Sequence, residues 1–98
     1  MNKVISYIGY AIKSRKIIVG QSLIKRSKDN IYCILVDVSA SQNLIDLAKN
    51  VANKNSCTYI VVENLEILTH IKDIKIIAIT DESLGRAIVE NKEIISIG

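Results

Sequence analysis

Three nearly continuous β-prone apolar runs, at residues 31–36, 57–62 and 74–79, most constrain what this chain can fold into. A strand with one wet face alternates apolar and polar residues. A run without that alternation suits a strand covered on both faces, as in α/β layers. The segments around these runs carry helical spacing instead. Val4, Ile5, Ile8, Ala11 and Ile12 form one stripe, and Leu44, Ile45, Ala48, Val51 and Ala52 form another. Leu65, Leu68 and Ile71 share a side of a short helix over residues 65–71, and Leu84, Ala87 and Ile88 mark a later helix. A short strand at Ile17–Val19 and a second helix over residues 21–28 complete the alternation. Helix and strand alternate from end to end, which implies an α/β fold: a central sheet with helices on both faces.

Local signals set the boundaries. Asn2, Ser41 and Asp81 are N-cap candidates, and Glu82 suits a first helical turn. Ser14-Arg15-Lys16 ends the first helix, Asn53-Lys54-Asn55-Ser56 breaks the third, and Asp29-Asn30 and Asp73 turn the chain. The tail at residues 94–98 fits either a short strand or a loose end.

The 98 residues suffice for one domain, 1–98, with 49% apolar and 23% charged residues. Its core must be aliphatic, since Phe and Trp are absent and Tyr occurs four times. Proline is absent too, so turns rest on Gly, Asn, Asp and Ser. Cys33 and Cys57 stand apart, outside any CxxC pair, and His70 is the single histidine. These residues lack zinc-site spacing, and no metal or cofactor is expected. Two lone thiols read best as small buried hydrophobes in a reducing cytoplasm. No apolar run approaches the roughly 20 residues that span a bilayer, so no membrane partner is expected.

Charge is unevenly placed. Residues 1–28 hold seven Lys/Arg and no acid, whereas residues 29–98 hold six basic and ten acidic residues, a net of −4. Such asymmetry points to a cationic face and a polyanionic partner. It concentrates in residues 13–26, KSRKIIVGQSLIKR. There a basic run ending in Lys16 precedes the strand, Gly20 makes a turn, and Gln21 and Ser22 open a helix that ends in Lys25-Arg26. A helix start offers free N–H groups and positive dipole, and cations beside it favour phosphate. The same pattern also describes a glycine turn between solvated lysines.

Catalytic constellations are missing. His70 has no recognisable Cys or Ser partner, Asp81-Glu82 is explained as a helix cap, and neither GxxxxGK nor GxGxxG occurs. Neither an enzyme nor a small-molecule substrate is expected. Tyr7, Tyr10, Tyr32 and Tyr59 are not interleaved with basic residues, so base stacking is not indicated.

Three motifs carry a resemblance. Ala11-x-Lys13-Ser14-x-Lys16-Ile17-Ile18-x-Gly20 resembles A-x-R-A-G-K-L-V-x-G, Ala40-Ser41-x-Asn43 resembles D-A-S-x-N, and residues 76–82 (IIAITDE) resemble V-V-A-V-T-D-E. These patterns belong to the kink-turn RNA-binding superfamily: archaeal ribosomal protein seven-Ae, eukaryotic ribosomal protein thirty-e and small bacterial ribosomal-protein-like relatives. The resemblance implies a three-layer α/β/α sandwich with a four-stranded mixed central sheet. It implies binding of kink-turn or ribosomal RNA with its sharply bent internal loops, association with the ribosome, and no catalysis. Carried over residue by residue, it places Gly20, Gln21 and Ser22 at the RNA, with Lys25 or Arg26 as the helix cation. A second RNA-facing loop would comprise Val62, Glu63, Asn64 and Leu65. Arg15 stands where the family usually has glycine, Ser39 where it has an acid, and Thr69 follows Leu68 in place of glycine. Glu63 places a negative charge in the second loop. An alternative with the same fold is a protein–protein adaptor without RNA affinity.

Overall fold

Four strands form one mixed sheet in the order β1-β4-β2-β3 in the computed structural model, which describes residues 3–95. The strands are β1 (Ile17–Val19), β2 (Cys33–Asp37), β3 (Thr58–Val62) and β4 (Ile76–Ile79). β2 and β3 are parallel, with Cys33 opposite Thr58 and Asp37 opposite Val62. β4 runs antiparallel to both its neighbours, pairing Ala78 with Ile18 on one side and with Ile34 on the other. β1, β2 and β3 therefore end at the same edge of the sheet, where β4 begins.

Six helices cover the two faces: α1 (Lys3–Lys13), α2 (Gln21–Arg26), α3 (Gln42–Asn55), α4 (Leu65–Thr69), α5 (Glu82–Glu90) and α6 (Lys92–Ile95). Alternate strand residues explain the division. Cys33, Leu35, Ile60, Val62, Ile77 and Ile79 pack with Val4, Ile8 and Ala11 of α1, Leu65 and Leu68 of α4, Ile88 of α5 and Ile95 of α6. Ile34, Val36, Ile76 and Ala78 pack on the other side with Ile24 of α2 and Leu44, Ala48 and Ala52 of α3. The expected α/β/α layering is what the chain forms. β2 and β4 are buried along their whole length, as their unbroken apolar runs require. Each fully buried Ile or Leu in these layers contributes roughly 1.5–3 kcal/mol. Gly85 lets α5 meet the sheet closely: a Cβ there would lie 2.7 Å from Tyr32 Cβ.

Boundaries moved where side chains intervened. α3 runs through the expected break to Asn55, whose Nδ2 donates to Val51 O while its Oδ1 accepts the Ile31 N–H. Ser56 then ends it in the left-handed conformation. α2 stops at Arg26 rather than at residue 28, and α4 stops at Thr69, where His70 has φ 58°. Ser41 and Asp81 cap α3 and α5 as expected, accepting the Leu44 N–H at 3.3 Å and 2.9 Å from the Leu84 N–H respectively. The Asn2 cap lies outside the described residues. Residues 94 and 95 belong to α6, and the rest of the tail lies outside the described residues. Arg15, at the position where the resembled family has glycine, adopts φ 60°, a conformation that glycine reaches most easily. Burial, with Cys57 nearby, pushes the Cys33 thiol up to about 12, and burial also raises the Cys57 thiol. Both behave as packing groups.

Candidate functional site

The sheet edge where β1, β2 and β3 end brings two helix starts into one row. Gly20 links β1 to α2. Its φ of 92° and ψ of 154° lie in a region open essentially to glycine alone. Its N–H donates to Ile76 O at 3.1 Å, the last rung of the β1–β4 ladder, and its carbonyl accepts from Ile24 N at 3.1 Å. One residue thus ends a strand and begins a helix. No side chain among the described residues caps α2, and Gln21, Ser22 and Leu23 in its first turn are exposed.

α4 begins about three strand spacings away, roughly 14 Å across the sheet. Asn64 Oδ1 accepts the Ile67 N–H at 3.2 Å. Asp37, the last residue of β2, reaches across with Oδ1 to accept the Leu65 N–H at 2.8 Å. Its Oδ2 accepts both the N–H and the hydroxyl of Ser39 and lies 3.8 Å from Lys75 Nζ. Lys75 also donates to Ser39 Oγ at 2.6 Å. Asp37 is only 6% exposed. Burial pushes its carboxyl up, but the Leu65 N–H, the Ser39 hydroxyl and N–H, and Lys75 together hold it below its ordinary value.

The expected RNA-facing residues divide accordingly. Gly20, Gln21 and Ser22 lie together at the start of α2, with Lys25 and Arg26 one turn further on. The two cations diverge: Arg26 shares the groove beside β1 with Leu23, while Lys25 borders a cleft toward α3 with Lys28 and Lys54. Neither is in an ion pair among the described residues, where Asp37–Lys75 and Glu82–Arg86 are the pairs formed. Lys16 lies at the opposite end of β1, roughly 13 Å from Gly20 at the usual strand rise; its carbonyl accepts from Thr80 N. Val62 and Leu65 do not face outward. Both side chains belong to the core, the Val62 carbonyl accepts from Val38 N at 2.8 Å, and the Leu65 N–H is held by Asp37. In the second loop Glu63 and Asn64 remain exposed, and the Asn64 side chain is committed to capping α4.

Sequence reasoning gave no role to Asp37 and Lys75 and met Ser39 only as a departure from the resembled family. The available signal was an acid closing a wholly apolar run, Asp37 after Val36, at the point where a buried strand must end beside a helix start. Among the described residues no group of three or more His, Cys, Asp or Glu is placed to hold a metal ion.

Neither a family model nor a curated protein matches the chain. A solved structure does. It is described as the structure of a protein with unknown function from Bacillus halodurans C, and the two superpose with a TM-score of 0.81 over 95% of this chain and 99% of that one. At 15% identity the likeness concerns the fold. No helix among the described residues is long and apolar enough to cross a membrane.

Proposed function

We propose that the protein binds bent internal-loop RNA of the kink-turn type through the start of α2 and the adjoining 63–64 loop, as a cytoplasmic, ribosome-associated or ribosomal-protein-like factor. The observation that carries this reading is a helix start opened by a glycine and, among the described residues, capped by no side chain, with exposed Gln21 and Ser22 and, behind them, Lys25 and Arg26, neither in an ion pair with a described residue. A sharp bend crowds phosphates, and cations beside free backbone N–H groups relieve that crowding. Because α2 has only six residues, its dipole is small, and Lys25 and Arg26 supply most of the attraction. In this reading the exposed Gln21 and Ser22 meet the base edges that a distorted loop exposes.

Titration of a kink-turn RNA and a straight duplex of equal length, across a salt series, tests this. The kink-turn should bind more tightly, and Lys25→Ala with Arg26→Ala should reduce the salt slope by about one unit per lost phosphate contact. Equal binding of bent and straight RNA, or none at low salt, rejects the proposal. The second reading, a protein adaptor, draws on Leu23 and Val38, which are 52% and 46% exposed at the same sheet edge, and on the adverse charge of Glu63. Absence of RNA binding at low salt favours it.

A further inference from the structure

We infer that the free edge of β1 takes an extended, acidic peptide segment of another protein as an added strand. The inference does not depend on RNA binding. Among the described residues β1 is an edge strand, paired on one side only, to β4. The ladder shows which groups are spent. Gly20 N donates to Ile76 O and Thr80 N donates to Lys16 O, so the Lys16 carbonyl, both groups of Ile18 and the Gly20 N–H turn toward β4, while the Lys16 N–H goes to Ala11 O and the Gly20 carbonyl to Ile24 N. Ile17 and Val19 consequently turn theirs outward, giving two donors and two acceptors in the two-residue repeat of a strand.

Beside this edge runs an open groove of about 670 Å³, lined by β1, Leu23 and Arg26 of α2, Ser27 and Asp29. A strand edge flanked by a helix is the geometry in which peptides are held by main-chain bonds while alternate side chains enter the groove. Leu23, with Ile18 beneath it, offers the apolar contact. Charge selects the partner. Arg26 lies in the wall, Lys16 precedes β1 and Lys28 adjoins Asp29, the one acid in the lining, so the surroundings are net positive. A second copy would bring the same net positive surroundings to this edge, which disfavours self-association. RNA lacks the alternating amide donors and carbonyls that would complete the edge. An acidic extended peptide satisfies the backbone groups, the apolar wall and the charge together.

The test is selection from a displayed library of random short peptides against the full chain, followed by NMR titration with the enriched synthetic peptide. Enriched sequences should alternate apolar and acidic residues, and the bound peptide should slow hydrogen exchange of the Ile17 and Val19 amides. Val19→Pro deletes one outward donor and spares the β4 ladder, since edge strands tolerate proline where the N–H faces solvent. It should bind about tenfold more weakly than Val19→Ala, which controls for lost packing. Arg26→Glu should turn the preference toward basic peptides. Should Val19→Pro lose its melting transition, amide protection in the unaltered chain and the Arg26→Glu preference decide. The inference is overturned if no peptide is enriched, if protection falls elsewhere, if the two Val19 variants bind alike, or if the edge is closed by a second copy or by RNA.

Discussion

α2 and α4 begin at the same edge of the sheet, and their starts are built in opposite ways. α4 is closed from within: Asn64 and Asp37 take two of its first N–H groups, and Leu65 buries its first side chain in the core. α2 is left open: a glycine precedes it, no side chain among the described residues caps it, and its first three residues are exposed. A helix start is thus not a ligand site by geometry alone. What matters is whether the protein's own acceptors already occupy it. Here one start is a structural joint between β2 and α4, and the other keeps its donors for something else.

The sharpest break of that contrast is Asp37→Ala. It leaves the buried Leu65 N–H without an acceptor and frees Ser39 and Lys75, which should cost about 2–3 kcal/mol in denaturant unfolding. The loss should depend on pH. The carboxyl sits below its ordinary value in the folded protein, so its contribution is present above the unfolded value, near about 4, and fades as pH falls through the folded one. The gap between the native chain and Asp37→Ala should therefore narrow in acid. A gap that stays constant down to about pH 2 would refute the joint. RNA affinity should survive Asp37→Ala wherever the variant is folded.

Gly20→Ala tests the open start, with an expected cost of about 2 kcal/mol. A Cβ on Gly20 meets nothing within 4 Å, so the whole cost is the backbone conformation at φ 92°. Equal stability of the variant would show that α2 can begin in another way. RNA affinity should fall with it, because the turn sets where Gln21 and Ser22 stand. Asn64→Ala should cost less, about 1 kcal/mol, the usual loss for a removed N-cap, and should weaken RNA binding less than Gly20→Ala does. If Asn64→Ala weakens RNA as much as Gly20→Ala does, the two starts are not distinct in function.

The layered fold was legible because its signals are local and redundant. The runs behind β2, β3 and β4 and the stripes of α1, α3 and α5 each state which face is buried, and Ser41 and Asp81 announce their helices. Boundaries were less legible where one side chain serves a distant partner: Asn55 extends α3 by holding Ile31, which no local pattern reveals. The candidate site divides the same way. Gly20 is visible because only glycine suits its turn, and the cations around it are visible as an acid-free stretch. That Val62 and Leu65 face the core follows from the parity of β3 and the packing of α4, and Asp37 becomes a cap only when β2 is laid beside β3. The separation of Lys16 from Gly20 needed the length of β1.

Glu63→Gln is the finest test of the contrast, because it asks how far along the edge a bound RNA reaches. Glu63 is exposed beside the closed start, and Gly20 lies roughly 14 Å away across the strands. Stability should hardly change, since the side chain makes no ion pair among the described residues. An RNA seated only on α2 would keep its phosphates about 14 Å or more from Glu63, where the repulsion in water is about 0.3 kcal/mol at low salt and is screened away at ordinary salt. An RNA that spans both starts brings phosphate to within about 7 Å of Glu63, where like charges in water repel by about 0.6 kcal/mol. Since the two starts face the same edge, the spanning geometry is expected, and Glu63→Gln should tighten kink-turn binding about threefold at low salt, with the gain vanishing at high salt. A nearly unchanged affinity at low salt would confine the interface to α2 and leave the α4 start a purely structural joint.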